Sequence, residues 1–106
     1  MSEVFSSIQK KADALKPELI TVSKAIFEHP ELGKEEVFAS SQHCTLLEKY
    51  GFSVEKGFMG IGTAFKAVRK SANPGPTIAF LAEYDALPGI GHGCGHNILG
   101  TTSVGA

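Results

Sequence analysis

The sequence predicts an α/β protein from three observations. Apolar residues recur at steps of three and four through residues 3–28, which is the spacing of an amphipathic helix. The run Thr77–Ala82 is apolar on both sides, as in a strand covered on both faces at the centre of an α/β sheet. The glycine-rich loop 85–97 follows that run, a common position for functional residues in this class, and precedes a segment that can start a helix.

The first predicted helix covers residues 3–28. Pro17 should kink this helix or begin a second one, because proline lacks the amide hydrogen that the helix interior needs. Pro30 and Gly33 should end the element and leave residues 29–33 as a loop. The apolar face of the helix is formed by Val4, Ile8, Ala12, Leu15, Leu19, Val22 and Ile26.

The second predicted helix runs from Lys34 or Glu35 to about Tyr50. On this helix Cys44 should pack in the core, because it lies on the apolar face. The neighbouring His43 should then face solvent. The inner face is predicted to contain Val37, Ser41, Cys44 and Leu47.

Three strands are predicted after the helices, at Phe52–Glu55, Thr63–Lys70 and Thr77–Ala82. The second and third should form an antiparallel hairpin around Ser71–Pro76, which is the clearest turn in the chain. The start of a further helix is predicted from Asn97 onward. Because the most apolar strand comes last and has few partners, the pattern predicts the beginning of a larger fold. The alternative is a self-contained three-stranded α+β domain.

The composition is that of an ordinary soluble domain: 106 residues, 42% hydrophobic, 20% charged, with a net charge of -1. Lysine and arginine are scattered, so neither nucleic acid nor a membrane surface is expected as a partner. No apolar run approaches the ~20 residues of a membrane span, and the N-terminus lacks signal-peptide features. Cys44 and Cys94 do not define a disulfide framework, so a cytoplasmic protein with reduced thiols is expected.

The loop 85–97 contains the residues best suited to chemistry. Cys94 and His96 are two positions apart, so in an extended backbone their side chains lie on the same side. Thiolate and imidazole are both zinc ligands, and Asp85 could orient a ligand histidine. A buried structural cysteine beside a helix-capping histidine is the other interpretation, and the spacing alone favours it.

Two other kinds of site fit the loop poorly. A dinucleotide-binding loop would require glycine or alanine at the position of Cys94. A nucleophilic cysteine paired with a histidine base is chemically feasible. However, Cys94 and His96 are too close in sequence for one to serve naturally as the base of the other.

Two segments resemble the M20 metallopeptidase and amidohydrolase family. Ala82–Asn97 is similar to its metal-binding motif, and Phe27–Glu36 is similar to its N-terminal signature, in the expected order. The resemblance covers essentially the whole chain, but only the first part of a family member. The branch concerned contains N-acyl-amino-acid amidohydrolases, aminobenzoyl-glutamate hydrolases and M20-domain dipeptidases. Glu83 and Asn97 differ from many relatives and match the dipeptidase and aminobenzoyl-glutamate subgroup.

The resemblance implies that residues 1–106 are the truncated N-terminal portion of a zinc-peptidase-like catalytic domain, without the lid and dimerisation domain. It implies that Cys94 and His96 are metal ligands and that Asp85 is a catalytic-site residue, an acidic side chain next to the metal centre. The cofactor would be a divalent metal, with two zinc ions in a complete site and manganese or cobalt as substitutes. The full-length protein, for which the family allows a homodimer, would hydrolyse a small amide or dipeptide such as an N-acyl-amino acid.

The family's general-base glutamate and its remaining metal ligands follow this motif, so they have no counterpart in residues 1–106. The chain alone is therefore expected to be inactive. The alternative function is that of a non-catalytic small protein, which binds metal weakly or pairs with another chain.

Overall fold

The structure is a computed structural model that describes residues 2–106. The described residues form three helices and a two-stranded sheet, which confirms the predicted mixed α/β class. Short 3₁₀ turns lie at Phe58–Gly60 and His92–Cys94. The main elements are α1 (Ser2–Phe27), α2 (Val37–Lys49), β1 (Ser53–Lys56), β2 (Phe65–Val68) and α3 (His96–Gly105).

Helix α1 is continuous through Pro17, so no second helix begins there. The hydroxyl of Thr21 donates to the carbonyl of Pro17 at 2.9 Å within that turn. Only the last part of the predicted apolar face is buried, at Val22 and Ile26. Val4 and Ile8, with Phe5 beside them, are more than half exposed. Because the other elements reach α1 only toward its C-terminal half, its first turns project from the core.

Helix α2 starts later than predicted, at Val37, and ends as expected before Gly51, whose φ is +89°. Val37 is 70% exposed and Ser41 is also exposed, so the predicted inner face is partly wrong. The buried residues of α2 are Ala39, His43, Cys44, Leu46 and Leu47.

His43 corrects the sequence prediction most clearly, because it is fully buried rather than facing solvent. Its ring packs against Tyr84, with centroids 5.4 Å apart, and against Phe65 at 6.5 Å. The predicted core position of Cys44 is confirmed. Both neighbours are buried because α2 is covered on two sides, by α1 and by the sheet with Tyr84, whereas periodicity predicts a single apolar face.

Strands β1 and β2 form an antiparallel pair in which Ser53 lies opposite Val68 and Lys56 opposite Phe65. The first two predicted strands are therefore confirmed: the first is shifted by one residue, and the second is shorter than Thr63–Lys70 at both ends. The third is not: Thr77–Ala82 forms no strand, and the predicted hairpin around 71–76 is absent from the described residues.

The apolar side chains of Thr77–Ala82 face outward. Ile78 is 74% exposed, Phe80 61% and Leu81 88%. A strand exists by exchanging backbone hydrogen bonds with a neighbour, and within residues 2–106 no paired strand lies beside this segment. Its apolar composition therefore does not lead to burial here.

The core lies where α1 and α2 meet the sheet and the segment that enters the glycine-rich loop. It comprises Val22, Ile26, Ala39, Leu46 and Tyr84, with Leu19, Phe38, Phe65 and Val104 packed against it. The helix predicted from Asn97 onward is confirmed as α3. Within residues 2–106, no helix combines the length and apolar character that a membrane crossing requires.

Candidate metal centre

The glycine-rich loop folds back on itself and returns His96 to Asp85. Leu87 and Gly91 exchange two backbone hydrogen bonds of 3.0 Å, which closes a tight turn between them. Gly95 then adopts a φ of +83°, a left-handed conformation that glycine accepts without strain, and α3 starts at His96. Residues that are eleven positions apart are thereby brought into contact.

The imidazole of His96 is oriented by Asp85. Its Nδ1 lies 2.7 Å from Asp85 Oδ1 and 3.2 Å from the carbonyl oxygen of Asp85. An ionised carboxylate only accepts hydrogen bonds, so Nδ1 carries the proton and donates it. In the neutral ring the lone pair is then on Nε2, which lies 3.6 Å from Oε2 of the exposed Glu83. The ring is therefore held in the tautomer whose Nε2 could bind a metal ion.

Cys94 lies against the same part of the chain. Its sulfur is 3.8 Å from the carbonyl oxygen of Asp85, the atom that His96 also approaches. Cys94 is an exposed free thiol. The structure thus brings together all three residues that the sequence singled out.

The structural interpretation of the cysteine–histidine pair does not match this geometry. That interpretation requires a buried cysteine, whereas Cys94 is exposed. It also requires a capping histidine, whereas the N-cap of α3 is Gly95 and no side chain caps that helix.

His92 is a further polar residue at the site that the sequence analysis did not select. It is 5% exposed, and neither ring nitrogen has a hydrogen-bond partner among the described residues. Burial lowers the pKa of His92, and the neighbouring His96 lowers it further. Its only sequence clue is its place among the glycines of the loop.

Glu31 was also missed. Its carboxylate accepts hydrogen bonds from the backbone of Phe38 and Ala39, and its carbonyl accepts one from Ala86. It therefore joins the N-terminus of α2 to the start of the glycine-rich loop. The Glu31 carboxylate lies seven residues before its partner Phe38, which is too far for local capping rules to detect from the sequence.

The donor set fits part of a zinc site. A thiol and an imidazole are preferred zinc ligands, and a carboxylate behind the imidazole is the usual second layer of such a site. A catalytic zinc ion, however, takes three protein ligands. Within the part of the chain that the structure describes, no group of three or more histidine, cysteine, aspartate or glutamate residues is arranged to hold a metal ion.

Several known proteins are similar in sequence to the chain. No protein-family model matches it. It is 32% identical to a component of the p-aminobenzoyl-glutamate hydrolase of Escherichia coli, over 100% of the chain and 25% of the relative. It is 36% identical to the Xaa-Arg dipeptidase of Mus musculus, over 92% of the chain and 24% of the relative. It is 33% identical to thermostable carboxypeptidase 1 of Saccharolobus solfataricus, over 74% of the chain and 23% of the relative.

These relatives define a class of hydrolases that act on amide and peptide bonds. The chain is homologous along essentially its whole length to the M20 family of amidohydrolases and dipeptidases. This agrees with the resemblance carried by Phe27–Glu36 and Ala82–Asn97. The chain spans about a quarter of the length of the curated relatives it matches.

Proposed function

We propose that this chain contributes the N-terminal part of a metal-dependent amidohydrolase or dipeptidase. The observation that carries the proposal is the convergence of Cys94 and His96 on Asp85, with the His96 ring held by a 2.7 Å contact. The reaction type is supported by homologous hydrolases of amide and peptide bonds. The substrates would be small molecules, namely dipeptides or N-acyl-amino acids, in a cytoplasmic protein.

In this proposal Cys94 and His96 hold a divalent metal, for which their sulfur and nitrogen donors favour zinc. A complete site would hold two such ions, with manganese or cobalt as substitutes. Asp85 keeps the proton on Nδ1 of His96, so that Nε2 is offered to the metal. A metal bound there would supply Lewis-acid chemistry, namely an activated water and a polarised substrate carbonyl.

We also propose that residues 1–106 do not turn over substrate by themselves. The described residues contribute two candidate ligands and one orienting carboxylate, which is fewer than the three protein ligands of a catalytic zinc ion. The remaining ligands and the general base would have to come from other residues.

Hydrolysis assays test both parts of the proposal. The purified chain, supplied with zinc or manganese, should show no turnover of dipeptides or N-acyl-amino acids. A chimera in which the chain replaces the matching quarter of the Escherichia coli relative should be active. That activity should disappear with a chelator or with Cys94→Ser. Robust turnover by the chain alone would contradict the incomplete site, and activity insensitive to both treatments would contradict the metal role.

A further inference from the structure

We infer that Glu31 is a positioning residue for the candidate metal centre, because its hydrogen bonds connect the loop that carries Asp85 to the N-terminus of α2. The consequence for metal binding rests on the proposed function. The positioning of Asp85 itself does not depend on a metal, so the two can be tested separately.

The side chain of Glu31 forms one half of this link. Its Oε2 accepts the backbone N–H of Phe38 at 2.8 Å, and its Oε1 accepts that of Ala39 at 2.9 Å. These N–H groups belong to the first turn of α2, where no intrahelical acceptor exists. The N-cap residue Glu36 supplies no side-chain hydrogen bond to the helix. The Glu31 carboxylate therefore takes over the capping, at the end of the helix dipole that favours a negative charge.

The backbone of Glu31 forms the other half. Its carbonyl accepts the N–H of Ala86 at 2.7 Å, and Ala86 is 2% exposed. Ala86 is the residue directly after Asp85, so this hydrogen bond limits where the Asp85 carboxylate can lie. The neighbouring Pro30 lies beside the same loop farther along, because a Cβ atom added to Gly91 would lie 3.6 Å from the Pro30 Cβ.

These side-chain and backbone hydrogen bonds predict how removal of the Glu31 carboxylate affects His96. Without the cap, the segment at Glu31 is no longer hydrogen-bonded to α2. The Glu31 carbonyl, which accepts from Ala86, is then no longer held in place. Asp85 then moves relative to the His96 ring, and the 2.7 Å contact that fixes the tautomer is weakened. A residue that only stabilised α2 would lower the melting temperature without changing the state of His96.

Three variants separate these roles. Glu31→Ala removes the acceptors, and Glu31→Gln keeps the size while removing the charge and one acceptor. Glu35→Gln is the matched control, because Glu35 is exposed in the same connection and the substitution makes the same change of charge. If Glu31→Ala does not fold, Glu31→Gln decides the outcome.

The first measurement is the tautomer of His96 in the metal-free chain, read from long-range ¹⁵N–¹H NMR correlations. The Nδ1–H form should dominate in the parent chain and in Glu35→Gln. Both Glu31 variants should move toward the Nε2–H form that free histidine favours. The second measurement is the affinity for Co²⁺, followed by thiolate-to-cobalt absorption. It should fall about 10-fold or more in Glu31→Gln and stay unchanged in Glu35→Gln.

A Glu31→Gln variant that melts at lower temperature, but keeps the parent tautomer and cobalt affinity, would overturn the inference and leave Glu31 as a helix cap only. A shifted tautomer in a protein whose parent chain does not bind cobalt would support the positioning role. The failure of the parent chain to bind cobalt would instead count against the proposed function.

Discussion

Acidification should destabilise this chain through His43. The ring is fully buried between Tyr84 and Phe65, and neither nitrogen has a hydrogen-bond partner among the described residues. Burial therefore lowers the pKa of His43 from 6.5 to about 4. Protonation in the folded state would place an uncompensated charge in the core, whereas the unfolded chain takes up the same proton freely.

The sign and size of the effect follow from proton linkage. Because the folded pKa lies below the unfolded one, the stabilising contribution is complete above pH 6.5 and is lost as the pH falls toward 4. Applying the linkage relation to these two pKa values gives a loss of about 2 kcal/mol in the free energy of unfolding between pH 7 and pH 5. Below pH 4 the loss levels off at about 3 kcal/mol.

Urea unfolding at pH 7 and pH 5 measures this loss. His43→Leu should remove about 2 kcal/mol of the acid sensitivity, because no hydrogen bond is given up and no titrating group remains in the core. His29→Leu is the control: it removes an exposed histidine and leaves His43 in place, so the acid sensitivity due to His43 should persist. His92, whose pKa burial also lowers, should contribute part of the acid sensitivity that remains. An unchanged pH response in His43→Leu would refute the reasoning.

Two further substitutions test the packing. Gly100→Ala should lower the free energy of unfolding by about 1–3 kcal/mol in urea titrations, because the new Cβ would lie 2.7 Å from the Glu83 carbonyl and 3.2 Å from His43 Nε2. Wild-type stability would show that α3 does not approach these residues so closely. Leu81→Ser should change that energy by less than about 0.5 kcal/mol, because Leu81 is 88% exposed. A large destabilisation would instead indicate that Leu81 is buried, as the sequence pattern suggested.

Local patterns predicted the elements that depend on local interactions. The apolar period of α1 and the glycine after α2 are signals within a few residues of the structure they specify. The short strands near residues 53 and 65 were likewise visible, because alternation and turn residues define them locally.

The errors at His43 and Thr77–Ala82, and the missed role of Glu31, involve partners that the local sequence pattern does not include. His43 is buried because two separate parts of the chain cover α2, which a single helical period cannot show. Thr77–Ala82 has the composition of a buried strand but no paired neighbour in residues 2–106. Glu31 caps α2 from seven residues away, across a loop.

The candidate site was visible in part. The spacing of Cys94 and His96 suggested a shared side, and Asp85 was expected to orient a histidine. The 2.7 Å contact and the exposure of the thiol required the three-dimensional structure, because both depend on the turn closed by Leu87 and Gly91.

The most direct test of the central claim is zinc K-edge X-ray absorption on the zinc-loaded chain. We expect one sulfur ligand at about 2.3 Å together with nitrogen or oxygen ligands at about 2.0 Å. The sulfur should vanish in Cys94→Ser, since Cys44 is buried in the core. Zinc bound only by nitrogen and oxygen in the parent chain, or a sulfur shell that survives Cys94→Ser, would contradict the assignment of Cys94 to the metal centre.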